Sequence, residues 1–258
     1  MSGNPVWDPE QYLRFGDERL RPALDLLARV SHDGPRLVVD LGCGAGSAMP
    51  ALRARFPGAA LRGVDGSSEM LAKARAAGFE TEQADIARWA SAEPVDVLFS
   101  NAALHWLPHH EALFPRLLGR LAPGGVLAVQ MPHMHAAPVR AAQERLAAEG
   151  PWTGRLSGVK SAAPVPEVAW YHDLLAPRTT ALDIWRTEYL HVLRGEDPVA
   201  RWAMGSSLRP YMDALEGAPE LRDGFLAAYR EEMRRAYPPQ GDGAVLLPFQ
   251  RLFILARM

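Results

Sequence analysis

A single cysteine in 258 residues leaves no partner for an intrachain disulfide. The chain also lacks a secretion-signal pattern and any apolar run long enough to cross a bilayer, so it is expected in the cytoplasm and away from membranes. Charge of one sign is missing as well: 28 Lys and Arg stand against 30 Asp and Glu, a formal net charge of −2, with no basic arm or charge block. Such a chain has no global field to gather nucleic acid, and any anionic ligand must be held by a local group of basic side chains. His109, His110, His133 and His135 have no Cys or carboxylate partners at ligand spacing, which speaks against a metal site. Repeats at solenoid periods and low-complexity blocks are absent too. The remaining composition, 48% hydrophobic and 22% charged, suits a globular chain with a large core.

One stretch stands out against this background. Leu37-Val38-Val39-Asp40-Leu41 is an apolar run broken by an acid, and Gly42-Cys43-Gly44-Ala45-Gly46 follows it, which reads as a strand feeding a ligand-binding turn. Glycine lacks a Cβ and tolerates positive φ, so three alternate glycines let a backbone come close to a ligand. The spacing differs from the dinucleotide fingerprint, whose third glycine comes one residue later, and a P-loop would need a lysine where Gly46-Ser47-Ala48 has none. Nicotinamide cofactors drop to second choice and triphosphate hydrolysis is disfavoured. Cys43 inside the turn is expected to be a small filler, since no positioned partner makes it a nucleophile. A second β-like run, Leu61 to Asp65, again ends in an acid, and Gly66 and Ser67 then open a helix. A carboxylate there can accept from both hydroxyls of a ribose.

The same rhythm of strands and helices continues from about Arg36 to Met131, the pattern of a parallel sheet covered on both faces. Further strands are expected from Phe79 towards Gln83, over Val95 to Asn101 and over Val126 to Met131, with a helix from Glu111 to Leu121 and a turn at Pro123-Gly124-Gly125. Beyond Pro132 the spacing predicts helices over 137–149, 168–176, 197–215 and 219–237, an irregular segment from Gly150 to Pro166, and two strands, one from Ala181 to His191 and one from Val245 to Ala256. The division is thus an N-terminal helical lid over 1–30, with Tyr12, Phe15 and Arg19 on one side, a ligand-binding core over 31–132, and substrate-side helices plus the last strands over 133–258, all in one structural domain.

Asp40-Leu41-Gly42-Cys43-Gly44-Ala45-Gly46 resembles the first motif of the class I S-adenosylmethionine-dependent methyltransferases. The resemblance implies an α/β, Rossmann-like fold with a mostly parallel seven-stranded sheet, an antiparallel last strand and helical substrate-side insertions. It further implies S-adenosyl-L-methionine as cofactor, held by Asp40, Gly42, Cys43, Gly44, Gly46, Asp65, Gly66 and Ser67, with Asp85 on the adenine amino group, Ile86 against the ring, and Asn101, Ala102, Trp106 and Tyr12 completing the pocket. Trp7-Asp8-Pro9, Asn101 to Pro108, Gly125 to Pro132, Asp183 to Thr187 and Arg251 to Ile254 narrow the likeness to the trans-aconitate methyltransferase family over nearly the whole chain, the Pro151 to Pro166 segment departing from it.

That family relation implies methyl-ester formation on a carboxylate. A carboxylate is already ionised at neutral pH, so no general base is required, and catalysis reduces to placing oxygen and methyl carbon in line and excluding water. His105 and Trp106, just beyond the fourth strand tip, are expected to position the acceptor, where open α/β sheets bind ligands. Holding a polycarboxylate in a nearly neutral protein calls for Arg, His and Tyr groups, Arg above all for its planar fork. Arg251 is the first candidate, on a strand face with Phe249 and Phe253; Arg209, Tyr171, Tyr189 and His191 complete the group. The expected assembly is a monomer or weak homodimer. Methylation of another small acid, amine or hydroxyl stays open, as do a non-catalytic cofactor-binding protein and an NAD oxidoreductase.

Overall fold

The structure, a computed structural model, describes residues 16–159 and 164–258. Its sheet comprises β1 (Leu37–Leu41), β2 (Ala60–Asp65), β3 (Glu80–Gln83), β4 (Val95–Asn101), β5 (Leu121–Pro132), β6 (Ala181–Leu193) and β7 (Val245–Arg257), in the order β3-β2-β1-β4-β5-β7-β6. β1 pairs in parallel with β2 and β4, β2 with β3, and β4 with β5, whereas β7 runs antiparallel to β5. This is the α/β architecture expected for the methyltransferase fold. β1 is buried along its whole length and β4 everywhere but its last residue, as near-continuous Val, Leu and Phe runs require when both faces of a parallel sheet are covered. The strand order reverses at β1, which has β2 on one side and β4 on the other. A crevice at the carboxyl ends of such strands is where this class of sheet binds ligands.

The chain divides into two compact units. One contains Asp17–His133, Ala163–Thr187 and Arg251–Met258, so the chain leaves the sheet after β5 and returns to complete it. Its helices are α1 (Gly16–Arg29), α2 (Met49–Arg55), α3 (Ser68–Ala76), α4 (His110–Leu118) and, later, α7 (Val168–Leu175). Helix α3 shows why these helices start where they do. Ser67 accepts from the Met70 amide at 3.3 Å, Glu69 sits in the first turn and Lys73 and Arg75 in the last, each complementing the helix dipole. Pro123-Gly124-Gly125 lies within β5 instead of ahead of it, with a register irregularity opposite Val95 to Val97. A Cβ on Gly125 would come within 2.9 Å of the Val95 carbonyl, so only glycine fits this close strand approach.

The other unit holds the helices α5 (Pro138–Ala148), α6 (Thr153–Leu156), α8 (Pro198–Met204), α9 (Arg209–Ala214) and α10 (Pro219–Ala236), together with the end of β6 and the start of β7. The single helix expected over 197–215 is two. Pro210 has no N–H to donate to the Ser206 carbonyl, so one helix cannot run through this stretch; the first ends at Met204 and the second starts with proline in its opening turn. The Gly150 to Pro166 segment, expected to be irregular throughout, contains the one-turn α6, anchored by the buried Trp152 indole donating to the Leu146 carbonyl at 2.6 Å. Trp152 meets Phe225 edge-on and Tyr211 stacks on Phe225, at ring distances of 5.3 and 5.8 Å.

Within this core the Tyr229 hydroxyl donates to the Val139 carbonyl at 2.9 Å and accepts from Gln143 at 3.2 Å. Tyr229→Phe keeps the ring and removes both of these buried hydrogen bonds. It is expected to lower stability by about 1–2 kcal/mol, read as a shift of the denaturant midpoint without a change in slope. No described helix is long and apolar enough to cross a membrane.

Candidate cofactor and acceptor site

The glycine turn leaves β1 and is tied at once to β2. The Gly42 and Cys43 amides both donate to the Val64 carbonyl, at 2.7 and 3.0 Å. Asp65, at the tip of β2, accepts from the Gly44 amide through one oxygen at 2.9 Å and from the Ser67 amide through the other at 2.8 Å. Its carboxylate therefore fixes the turn and still has lone pairs to offer ribose hydroxyls. All three glycines have positive φ, but they serve different neighbours. At Gly42 a Cβ would lie 2.1 Å from the Ala103 Cβ, so the missing side chain makes room for the segment after β4. At Gly44 a Cβ would meet nothing within 4 Å among the described residues, so this glycine borders open space. At Gly46 a Cβ would press on Ala74 at 3.3 Å and Met49 at 3.4 Å, a helix-packing constraint.

Cys43 fills space, as expected: it is buried, and the bare Cα of Gly63 accommodates it, since a Cβ there would come within 2.7 Å of its sulfur. Burial first, then the neighbouring Asp40 and Asp65 charges, push its thiol far above the ordinary range, so no thiolate is available for attack.

Register then assembles a polar row across one face of the sheet. Asp40 is the Cα partner of Gly63 on β2 and of Phe99 on β4; two residues further along lie Asp65 and Asn101. Asn101 pairs with Gln130 on β5, and Gln130 with Phe253 on β7, two residues from Arg251. Alternation along a strand returns to the same face every second residue, so Asp65, Asp40, Asn101, Gln130 and Arg251 share a face. The row begins with two acids, passes through two amides and ends in a guanidinium.

Asp40 is 2% exposed, and burial, reinforced by the Asp65 charge, raises its carboxyl to a pKa of about 7. The Asn101 Oδ1 is buried without a hydrogen-bond partner among the described residues. Arg251 is 6% exposed and donates to the Gln130 Oε1 at 3.5 Å. Further along this face Phe253 stacks on Trp185, with planes 6° apart, and the Arg29 guanidinium lies 4.1 Å from the centre of the Trp185 ring.

The remaining predicted residues divide into those near this row and those elsewhere. Ala102 has a φ of 52° directly after Asn101, and the 3-10 turn Leu104–Trp106 follows. Trp106 is 50% exposed with its ring 4.7 Å from that of His105, while buried Leu104 anchors the turn through its carbonyl. Ile86 lies against the glycine turn, 3.3 Å from where a Gly42 Cβ would sit, and Arg116 holds its carbonyl at 3.0 Å. Asp85 is exposed and accepts from the Ala87 amide at 2.9 Å. Gly66 and Ser67 form the exposed start of α3, and Tyr12 lies outside the described residues.

Tyr171 is a correction. It is fully buried in the core that includes Val129, Met131, Leu252 and Ile254, whose side chains cover the sheet face opposite Gln130 and Arg251. There it contacts Phe114, and its hydroxyl pairs with His110. The His110 Nε2–H donates to the Leu104 carbonyl, so Nδ1 accepts from the tyrosine; burial keeps the imidazole neutral and the phenol protonated. Tyr189, His191 and Arg209 lie in the helical unit. There Tyr189 is buried, His191 meets Phe249 edge-on at 5.5 Å, and Arg209 pairs with Asp213 at 3.7 Å.

Known proteins resemble this chain in sequence and in fold. The methyltransferase domain family matches residues 38–125, the span from β1 into β5. A trans-aconitate 2-methyltransferase of Azoarcus sp. strain BH72 is 48% identical over 256 residues, 98% of this chain and 99% of that protein. Another from Methylobacterium nodulans is 48% identical over 97% of this chain and 98% of its own length. Among solved structures, phosphoethanolamine N-methyltransferase 2 of Haemonchus contortus, in complex with S-adenosyl-L-methionine, superimposes with a TM-score of 0.53 at 17% identity, over 92% of this chain and 52% of that one. That likeness shows the fold, whereas identity near one half over nearly the full length of both chains shows the family: the chain belongs to the trans-aconitate 2-methyltransferase family, enzymes that depend on S-adenosylmethionine.

Proposed function

We propose that the chain methylates a carboxylate of trans-aconitate or a close polycarboxylate, releasing the methyl ester. The observation that carries this reading is the order of the polar row, acids at the β2 and β1 end and a buried arginine at the β7 end. The acidic end suits a cofactor with a sulfonium, an ammonium and ribose hydroxyls, and the open space at Gly44 and the unpartnered Asn101 Oδ1 fit its methionine part. Asp65 is assigned to the ribose, and Asp85 and Ile86 to the adenine. When bound, S-adenosylmethionine supplies a methyl on a sulfonium sulfur, so an ionised carboxylate displaces a neutral thioether in one in-line step with no proton to remove. The protein's contribution is placement. Arg251 grips a carboxylate through its planar fork, while His105 and Trp106 set the approach beside Asn101 and limit the access of water.

The test is incubation with methyl-labelled cofactor and a panel of trans-aconitate, cis-aconitate, citrate and unrelated amines. Base-labile label on the acids is expected; label on the amines alone would overturn the reading. Arg251→Ala is expected to raise KM for the acid roughly hundred-fold while leaving cofactor affinity nearly unchanged. Arg251→Lys should recover little of it, because a point charge does not replace a bidentate fork. Equal losses for acid and cofactor would remove Arg251 from the acceptor seat.

A further inference from the structure

Gln130 is fully buried in an otherwise apolar strand, and a buried amide in such a run calls for a reason. Its Oε1 accepts from the Arg251 NH1 at 3.5 Å. Arginine can only donate, so this contact decides which way the amide points and leaves Nε2 on the other side. Among the described residues that Nε2 is a buried donor with no hydrogen-bond partner, on the face that carries Asn101 on one neighbouring strand and Arg251 on the other. A buried unsatisfied donor is costly, and such a group between a cofactor-side amide and a guanidinium fits an anion that arrives later.

We propose that Gln130 is the second half of the acceptor's carboxylate seat: its Oε1 orients the Arg251 guanidinium, and its Nε2 donates to the bound acid. This rests on the polycarboxylate reading above. A neutral amide is the group that can do both. A carboxylate here would neutralise the arginine, and an aliphatic side chain would neither orient it nor donate.

The experiment measures kcat and KM for trans-aconitate, and the dissociation constant of S-adenosylhomocysteine, in the wild type, Gln130→Leu and the isosteric Gln130→Glu. Gln130→Leu is expected to raise KM about ten-fold and Gln130→Glu roughly hundred-fold, with S-adenosylhomocysteine bound within about two-fold of wild type in both. The retained product affinity shows that the fold is intact, a readout that a merely structural role would not separate from KM. Should Gln130→Leu fail to fold, the isosteric variant alone decides. If the wild type forms ester and the folded variants keep the wild-type KM, the role of Gln130 is overturned and the polycarboxylate reading stands. If the wild type neither methylates nor binds trans-aconitate, that reading fails and the seat falls with it.

Discussion

Asp40→Asn is expected to make the free protein more stable and its grip on the cofactor weaker, both effects growing with pH. Burial and the Asp65 charge raise the Asp40 carboxyl to a pKa of about 7, against the ordinary carboxylate value that it regains on unfolding. The folded state therefore keeps a proton that the unfolded state has released. The stability this provides is complete below about pH 4 and is lost progressively until about pH 7, beyond which the fold carries a buried anion. A gap of about three pH units corresponds to about 4 kcal/mol at most, which sets the upper bound on the gain in the Asn variant near pH 8; near pH 4 the two proteins should melt together. The cofactor's positive charge favours ionised Asp40, so wild-type affinity should fall about ten-fold per pH unit on the acid side of that pKa, with proton release on binding. Thermal unfolding and calorimetric titration of S-adenosylmethionine between about pH 5 and about pH 8 read both effects. An Asn variant no more stable than the wild type at the alkaline end would sink this account.

Gly42→Ala should be the most damaging single methyl in the chain. The added carbon would lie 2.1 Å from the Ala103 Cβ, at a φ of 82° that side chains rarely adopt, and neither partner is a flexible group that can swing aside. Wedging the two turns apart is expected to cost about 3 kcal/mol or more and to abolish cofactor binding, because the turns carrying Gly44 and Asn101 separate. Gly44→Ala is the control. Its Cβ meets nothing within 4 Å among the described residues, so it should cost only the left-handed penalty of about 1 kcal/mol while still projecting a methyl into the space proposed for the cofactor. Melting temperature and cofactor dissociation constant, measured for both variants, should fall together for Gly42→Ala and part company for Gly44→Ala.

These two glycines show how far the sequence could be read. Three alternate glycines after Asp40 announce a close backbone approach, but spacing does not say what approaches; only the neighbours reveal that Gly42 faces Ala103, Gly46 faces a helix and Gly44 faces open space. The strand pattern was similarly legible within strands and silent between them. Alternation placed Arg251 with Phe253, and the sheet agrees. In the sequence Gln130 is one polar residue in an apolar strand, and only register sets it beside Asn101 and near Arg251. Tyr171 was misjudged because a helix's periodicity does not declare which side of the sheet it covers, and α7 covers the opposite one. The helix break at Pro210 was there to be read, since proline removes a donor wherever it falls.

The position of β7 has a bearing on how the enzyme is made. It is the last strand in the chain, yet it lies inside the sheet, between β5 and β6. During synthesis every other strand is available before it, and until it inserts, the apolar Val126 to Met131 segment of β5 offers an unpaired edge of the kind that recruits other chains. Insertion of β7 is thus expected to be the slow, long-range step of folding, and a nascent chain stalled ahead of it should aggregate. The same insertion brings Arg251 beside Gln130, so closing the sheet and completing the polar row are one event.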